Sequence, residues 1–403
     1  MVEKIGARRA VVVTALAALL AAAGCGSSES GGASSGSAKA SGSSASPLSI
    51  GMAIGQTGYL AAVDTPFGQG VELAVDELNQ SGGLLGQKIK ITKVDMASNA
   101  AQATTLTNRL INQDRVGVLV VGYTSAATAA IAPIAAGRKV PIVAASVPPE
   151  DPTWVISTLQ PVTKTDAVAV DYLADKLKVS KIAVLYSQTP YGQTAAKAMK
   201  EVAGKGGLQV VSSLGVDTGA TDLSPQLSKA KSAGAEAVVD VLTGPVHIVE
   251  AKSAATLGLK IPLVMGTDDL NTFKKATDAY PETYFTAIGV QQYPNNLDPE
   301  IKAADEKFLD VFKAKYGDGV SNVADAARGW DAMMILAEAV KASKATTGEA
   351  LRAALEAVTH TGTSSRYAYS ASDHSGQLST PNPLAIMRFQ GADAQIVYQP
   401  EAG

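Results

Sequence analysis

The chain of 403 residues contains one cysteine, Cys25, so no disulfide can form within it. Its three histidines lack the spacing of a metal site, and we expect neither a metal nor another cofactor. The net charge of −3 provides no basic excess for nucleic acid. Neither a P-loop nor a Gly-x-Gly-x-x-Gly after a strand occurs, and no Ser, His and acid come together on predicted loops. These absences argue against an enzyme.

The N-terminus has the pattern of a secretion signal. Positive charges at Lys4, Arg8 and Arg9 precede an apolar run, Ala10–Ala23, interrupted only by a threonine. This run is shorter than the roughly 20 residues that span a bilayer, but it fits a signal-peptide core. It ends in Ala-Ala-Gly-Cys25, which resembles a lipoprotein lipobox. We therefore predict a signal peptide over residues 1–24 and a lipid on Cys25; the alternative is an ordinary signal with an incidental cysteine.

The segment after Cys25 is almost entirely Gly, Ser and Ala. Such a composition offers no large apolar side chains to pack and behaves as a flexible chain. Residues 25–47 are therefore predicted to be the lipidated cysteine and a tether.

Beyond the tether, apolar strands alternate with amphipathic helices, which predicts an α/β fold with parallel sheets. The pattern occurs twice. Gly68 in Phe-Gly-Gln and Gly192 in Tyr-Gly-Gln precede apolar residues at equal offsets, and each helix is followed by Gly-Gly at the same interval. Lys139-Val-Pro-Ile-Val and Lys260-Ile-Pro-Leu-Val recur later in the two copies. We infer two similar Rossmann-like lobes, although any two α/β units share part of this pattern.

Ligands of open parallel sheets bind at the carboxyl ends of the strands. This rule selects six loops, which would line one cleft if the lobes face each other: residues 55–67, 123–125, 145–147, 187–191, 243–247 and 267–269. None of these loops contains Lys or Arg.

Several motifs resemble those of the leucine/isoleucine/valine-binding proteins. They include Phe67-Gly-Gln-Gly-Val-Glu-Leu-Ala, Asn79 to Gly83, Tyr191-Gly, Ala220-Thr-Asp-Leu-Ser, and Phe312 to Gly317. The resemblance runs from about Leu48 to the C-terminus and implies a type I periplasmic-binding fold with three hinge crossings between the lobes.

We place these crossings near residues 160–165, 289–294 and 361–366. The first lobe is then residues 48–162 plus 292–362, and the second lobe is residues 163–291 plus 363–403.

The resemblance also implies roles for single residues. Ser125 matches the hydroxyl that binds a ligand carboxylate at a helix start, helped by the amide of Ala126. Ser146 is the one hydroxyl kept in the loop after the fourth strand. Tyr191 and Asp268 match a cleft tyrosine and the acid that meets a ligand ammonium.

Phe67 matches an aromatic that lines the side-chain pocket, and Tyr123 is a further candidate. His247 lies in a cleft loop and could contact ligand, whereas Trp154 and Trp330 are expected to pack in the core. Ser125 could also only cap its helix, Tyr191 and Phe67 could only pack, and Asp268 could be a helix cap.

The function implied is that of an extracytoplasmic, lipid-anchored solute-binding subunit of an ABC importer. It would capture a small, branched-chain-like amino acid and deliver it to permease and ATPase subunits without chemistry on the solute. Alternatives are an amide, urea or aromatic carboxylate as ligand, a sensor instead of a transport component, or an enzyme.

Overall fold

The structure is a computed structural model that describes residues 48–317, 322–376 and 383–400. The predicted signal peptide, Cys25 and the tether lie outside these residues. Within the described ranges, no helix combines the length and the apolar character that a bilayer crossing requires.

The first sheet has the strand order β2-β1-β3-β4-β5 and is parallel throughout. Its strands are β1 (Ser49–Ile54), β2 (Lys90–Asp95), β3 (Val118–Val121), β4 (Ile142–Ala144) and β5 (Val155–Ser157). The connecting helices are α1 (Ala61–Gln80), α2 (Ala100–Asn112) and α3 (Ser125–Gly137). Every residue of β3 and β4 is buried, as expected for parallel strands covered on both faces, which is why these strands read as unbroken apolar runs.

The second sheet repeats this order as β7-β6-β8-β9-β10. It is reached through α4 (Val162–Asp171), which continues as a π-helical turn, Tyr172–Lys176. The strands are β6 (Lys181–Ser187), β7 (Gln209–Val216), β8 (Ala237–Val241), β9 (Leu263–Met265) and β10 (Thr283–Ala287). The helices between them are α5 (Pro190–Lys205), α6 (Ser224–Ser232), α7 (Val246–Thr256) and α8 (Leu270–Ala279). The equal strand order confirms the α/β fold inferred from the internal repeat.

The remaining elements complete both halves. They are α9 (Gly289–Gln292), α10 (Pro299–Tyr316), α11 (Val323–Ser343), α12 (Gly348–Leu355), the hairpin β11 (Thr359–Thr361) and β12 (Arg366–Ala368), and the strands β13 (Ala385–Gln390) and β14 (Asp393–Tyr398). Helix α11 packs along α1 beside the first sheet, whereas β13 pairs antiparallel with β10. The second sheet is therefore parallel only in its repeated part and ends in an antiparallel pair.

Helix α1 begins earlier than the repeat indicates. Phe67 was expected at a helix start, like Tyr191 at the start of α5, but it lies inside α1, whose first residue is Ala61. Pro66 would break many helices because it has no N–H to donate. In a regular helix, the carbonyl of Ala62 would accept a hydrogen bond from the N–H of residue 66. Here that carbonyl accepts instead from Asn322 Nδ2 at 3.4 Å.

The segments predicted as crossings contact one another. The amide of Val290 donates to the carbonyl of Thr363 at 3.0 Å, and Gln160 Nε2 donates to the carbonyl of Ser364 at 3.2 Å. Gly289 is required at this contact, since a Cβ there would lie 2.4 Å from the Thr363 oxygen. The lobe boundaries and the hinge role of these segments stay predictions.

Candidate functional site

A cavity of about 110 Å³ lies between the carboxyl ends of the two sheets. The first half contributes the start of α1 and the β3–α3 connection, and the second half contributes the starts of α5 and of the segments that follow β8, β9 and β10. Helix α11 closes one side with Ala324, Asp325 and Arg328. The loops selected from strand ends therefore supply most of the lining.

Five of the residues singled out in the sequence line this cavity, namely Tyr123, Ser125, Ala126, Tyr191 and Asp268. The structure places these five residues around one cavity, and their roles in ligand binding stay predictions.

Ser146 does not line the cavity. Its side chain is fully buried, and its hydroxyl donates to Thr128 Oγ1 at 2.7 Å. The hydroxyl of Ser157 donates in turn to the carbonyl of Ser146 at 2.7 Å. The loop after β4 folds against β5, and this places Ser146 in the core of the first half and not at the cavity wall.

Phe67 is also fully buried and outside the lining. Because α1 begins six residues earlier than expected, Phe67 is turned towards the core, where its ring meets Tyr123 edge-on with the centroids 6.0 Å apart. It therefore supports a residue of the cavity wall from behind.

The start of α3 is held in place by two buried contacts. Asp64 of α1 accepts hydrogen bonds from the amides of Gly55 at 2.6 Å and Tyr123 at 2.7 Å, and so ties the ends of β1 and β3 together. Burial raises the pKa of Asp64 to about 7, and these two hydrogen bonds lower it only in part. Ser125 Oγ accepts from the amide of Val147 at 3.2 Å. The first amides of α3 have no partner within the helix, and the two residues that begin it, Ser125 and Ala126, line the cavity.

A buried cation, Arg328, stands beside this helix start. Its Nη1 donates to the Tyr123 hydroxyl at 2.7 Å, its Nη2 donates to Gln160 Oε1, and its guanidinium lies 5.5 Å from the Tyr123 ring. The Tyr123 hydroxyl donates to Asp325 Oδ1. Among the residues that the structure describes, none is a hydrogen-bond partner of Arg328 Nε. Arg328 therefore adds a positive charge to the cavity wall at the start of α3, where the sequence analysis predicted only a hydroxyl, that of Ser125, and a backbone amide, that of Ala126.

The charge of Asp325 depends on pH in the neutral range. Burial raises its pKa to about 7, although Arg328 and the Tyr123 hydroxyl lower it in part. Burial lowers the pKa of Arg328, but Tyr123 and Asp325 outweigh this effect, and the net shift is upward. Arg328 is thus always charged, whereas Asp325 is partly neutral near pH 7.

On the opposite wall, Asp268 is 4% exposed in its side chain and held by its surroundings. Its Oδ2 accepts from the amide of Gly244 at 2.5 Å, and its Oδ1 accepts from the amide of Asp269 at 2.7 Å. His247 Nε2 lies 3.4 Å from Oδ2. Burial alone would raise the pKa of Asp268, but His247 and the two amides outweigh it and lower the pKa. His247 itself is fully buried behind Asp268 and does not line the cavity.

Behind His247 lie Asp240 and Glu250. Within the residues that the structure describes, Asp240, His247 and Glu250 each offer a nitrogen or carboxylate oxygen that could bind a metal ion, and these atoms lie within 4.8 Å of one another. His247 Nδ1 lies 3.0 Å from Asp240 Oδ2, which is the spacing of an N–H···O hydrogen bond. Burial and the Asp240 charge raise the pKa of Glu250 well above its ordinary value. The cluster therefore fits a network bridged by protons.

A family model described as "Periplasmic binding protein" matches residues 47–394. The chain belongs to this family. The family resemblance seen in the sequence is confirmed, and membership implies an extracytoplasmic location.

Curated relatives agree with this assignment. An "Amino acid binding protein" of Pseudomonas aeruginosa is 31% identical over 195 residues, which are 47% of this chain and 52% of that protein. The match thus spans about half the length of that relative. The "Leu/Ile/Val-binding protein homolog 2" of Brucella abortus is 28% identical over 277 residues, 67% of this chain and 73% of the relative.

Solved structures show the same fold with different ligands. The branched-chain amino acid transporter substrate binding protein LivJ of Streptococcus pneumoniae, in complex with isoleucine, aligns with a TM-score of 0.72 at 24% identity, covering 88% of this chain and 100% of that one. An ABC transporter solute binding protein of R. palustris, in complex with benzoate, aligns with a TM-score of 0.71 at 21% identity, covering 89% of this chain and 99% of that one. At these identities the likeness establishes the fold alone.

Proposed function

We propose that this protein is the solute-binding component of an ABC importer and that it captures a small amino acid with an apolar, branched-chain-like side chain in the cavity between its lobes. The solute would be passed unchanged to permease and ATPase subunits, and a lipid on Cys25 would retain the protein at the membrane. Two acyl chains on this residue would make that retention stable where one chain is marginal.

The observation that carries the proposal is that a buried cation, Arg328, and a buried carboxylate, Asp268, line the same cavity, while the acid beside Arg328, Asp325, is partly neutral near pH 7. Arg328 and the first two residues of α3, Ser125 and Ala126, line the cavity together with Asp268. A helix N-terminus and a guanidinium both favour a carboxylate, and a buried carboxylate needs a cation or several donors. A zwitterionic amino acid supplies both charges at once. It would bind most tightly when both walls touch it, which favours the closed state by differential affinity.

The rest of the lining indicates the kind of side chain. Leu60, Val63, Leu159, Leu242 and Ile288 all face the cavity. Burying apolar surface contributes about 25 cal/mol per Å², so an aliphatic side chain would add to affinity here, whereas a polar side chain would lose hydration.

A second candidate follows from Arg328. A buried arginine can hold a carboxylate without help from an ammonium, which favours an aromatic or other simple carboxylic acid as the alternative ligand. A neutral amide or urea, and a role in sensing in place of transport, remain alternatives on the same fold.

The test begins with mass spectrometry of the small molecule released from the purified, denatured protein. Calorimetry then measures isoleucine, leucine and their deaminated analogues on the wild type and on Asp268→Asn. We expect Asp268→Asn to weaken the amino acids by at least about tenfold, since a hydrogen bond to a charged group contributes about 1.5–3 kcal/mol, and to change the deaminated acids much less.

The matched control is Asp269→Asn. Asp269 is the next residue, but it caps α8 by accepting from the amides of Asn271 and Thr272, and asparagine caps helices equally well. This control should bind as the wild type does. If the natural ligand carries no ammonium, or if Asp268→Asn binds amino acids unchanged, the amino acid proposal is wrong and the carboxylate alternative takes its place.

A further inference from the structure

Three ionisable side chains form a line from the core of the second half to the cavity. His247 Nδ1 lies 3.0 Å from Asp240 Oδ2, which is a hydrogen bond, whereas His247 Nε2 lies 3.4 Å from Asp268 Oδ2, an ion-pair distance without the geometry of a hydrogen bond. The side chains of Asp240, His247 and Asp268 are 1%, 0% and 4% exposed, so water does not compete for these contacts. Of the three, only Asp268 lines the cavity.

Both ends of this line are fixed by the backbone. Asp240 Oδ1 accepts from the amides of Gly266 at 3.1 Å and Leu242 at 3.3 Å. Asp268 accepts from Gly244 and Asp269, as described above. The imidazole ring packs against Phe273, with the ring centroids 5.6 Å apart. A ring that is held between two anchored carboxylates has little freedom to turn away from either.

The protonation states of the cluster follow from the groups that surround the His247 ring. Asp240 of β8, Glu250 on the same helix as His247, and Asp268 after β9 are the ionisable groups that face the ring, whereas Phe273 of α8 is neutral. Each ring nitrogen faces a carboxylate, so each carries an N–H when both carboxylates are ionised. With Glu250 neutral, two carboxylates and one imidazolium leave a single negative charge on this wall. That charge is the one that a ligand ammonium would neutralise.

We propose that His247 is a positioning residue for ligand selection: as an imidazolium bridging Asp240 and Asp268, it keeps the Asp268 carboxylate ionised and oriented at the cavity wall, and so makes the wall selective for ligands that carry an ammonium. This inference rests on the proposed function, because it assigns to His247 the support of the residue that would meet the ligand cation. Without the imidazolium, the two buried carboxylates would lose their shared positive partner, and burial would favour the protonated form of at least one of them.

The central variant is His247→Gln, which keeps a donor near the position of Nε2 but removes the charge. We expect this variant to bind amino acids at least about tenfold more weakly at pH 6.5 and to bind their deaminated analogues unchanged, since it loses one charged partner. Its amino acid affinity, measured between pH 6 and 8, should rise with pH by up to about tenfold per pH unit, because a buried carboxylate without its cation gives up its proton only as the pH increases. Wild-type affinity should lack this rise; because Asp325 also lines the cavity and has a pKa of about 7, the measurement that counts is the difference between the pH profiles of the variant and the wild type.

The matched control is His360→Gln. His360 pairs with Glu338 at 2.8 Å, outside the cavity lining, so its replacement should change neither affinity nor its pH dependence. A role of His247 in folding alone would lower the affinity for all ligands together and would produce no new pH dependence. Equal losses for amino acids and deaminated acids, or a pH profile in His247→Gln that runs parallel to that of the wild type, would overturn the proposal.

NMR of the histidine rings is an independent measurement, and it does not require that any variant binds a ligand. In the ¹⁵N-labelled chain, each of the three histidines gives its own ring signals. The signal of His247 is the one that disappears in His247→Gln. If that variant cannot be measured, it is the signal that remains after His360 and His374 have been assigned by their own variants. At pH 8 without ligand, both ring nitrogens of His247 should carry protons. A bare ring nitrogen, or a bound metal ion in place of an N–H, would overturn the inference. Failure of the wild type to bind any amino acid would instead overturn the proposed function, and this is seen before any variant is compared.

Discussion

Arg328 is the buried charge whose removal should have the largest measurable effect, and Arg328→Met is the perturbation that tests it. Methionine keeps most of the volume but loses the hydrogen bonds to Tyr123 and Gln160 and the ion pair with Asp325, whose closest atoms are 3.8 Å apart. Breaking a buried pair by removing one partner costs about 3–5 kcal/mol, because the other charge is left uncompensated. Asp325 can reduce that cost by taking up a proton.

The cost should therefore depend on pH. The pKa of Asp325 in the folded protein, about 7, is raised from its ordinary value of 3.8. Its contribution to stability is therefore present at low pH and declines as the pH rises through 7. Arg328 is one of the groups that lower this pKa, so in Arg328→Met the pKa moves higher and the decline continues above pH 7. We expect a loss of about 2 kcal/mol at pH 6, mainly from hydrogen bonds, and about 3–5 kcal/mol at pH 8.5.

Urea unfolding followed by tryptophan fluorescence measures this difference, since Trp330 lies on α11 two residues from Arg328. The control is Arg109→Met: Arg109 pairs with Asp114 at 3.3 Å and is half exposed, and exposed pairs contribute about 0.2–1 kcal/mol. Adding Asp325→Asn to Arg328→Met should abolish the additional loss at pH 8.5. If Arg328→Met and Arg109→Met lose the same free energy of unfolding at both pH values, the assignment of a buried, pH-sensitive pair is refuted.

Two further predictions concern the anion side of the cavity and the membrane. Ser125→Ala should weaken a carboxylate ligand by about 10- to 150-fold in calorimetry, because it removes a hydrogen bond to a charged group, and should cost about 1 kcal/mol of stability, because the amide of Val147 loses its acceptor; an unchanged dissociation constant would exclude Ser125 from the site. Cys25→Ala should move the protein from the membrane to the soluble fraction on cell fractionation, since two acyl chains give stable anchoring, and equal retention of both proteins would contradict lipidation.

The loops around the cavity could be predicted because they follow from local signals. Apolar runs mark the strands, glycines mark the ends of the helices, and the carboxyl ends of parallel strands share one edge. Tyr123, Ser125, Tyr191 and Asp268 all lie where this rule places them. The rule gives the position of a loop but not the direction of each side chain in it, which is why Ser146, on a loop of the same kind, proved to be directed into the core.

Arg328 could not be found from strand ends because it lies in the middle of a helix. Its place at the cavity depends on the packing of α11 against α1, a contact between segments more than 240 residues apart. A signal was present all the same. Arg328 and Asp325 stand among small apolar residues, on a helix whose residues from Ala324 to Met333 are all buried. Charged residues are almost never fully buried unless paired, so such a pair on a core helix is a candidate for a site.

The charged groups of both walls are also hydrogen-bonded to the predicted crossings. Arg328 donates to Gln160, and Gln160 donates to the carbonyl of Ser364 at 3.2 Å, so the anion side is linked to the first and third crossings. On the cation side, Gln291 in the second crossing donates to the carbonyl of Asp268 at 2.6 Å. A ligand that neutralises both walls would therefore act on residues one hydrogen bond away from the segments that would bend. A ligand with only one charge would engage one wall, and its smaller differential affinity for the closed state would shift the equilibrium less.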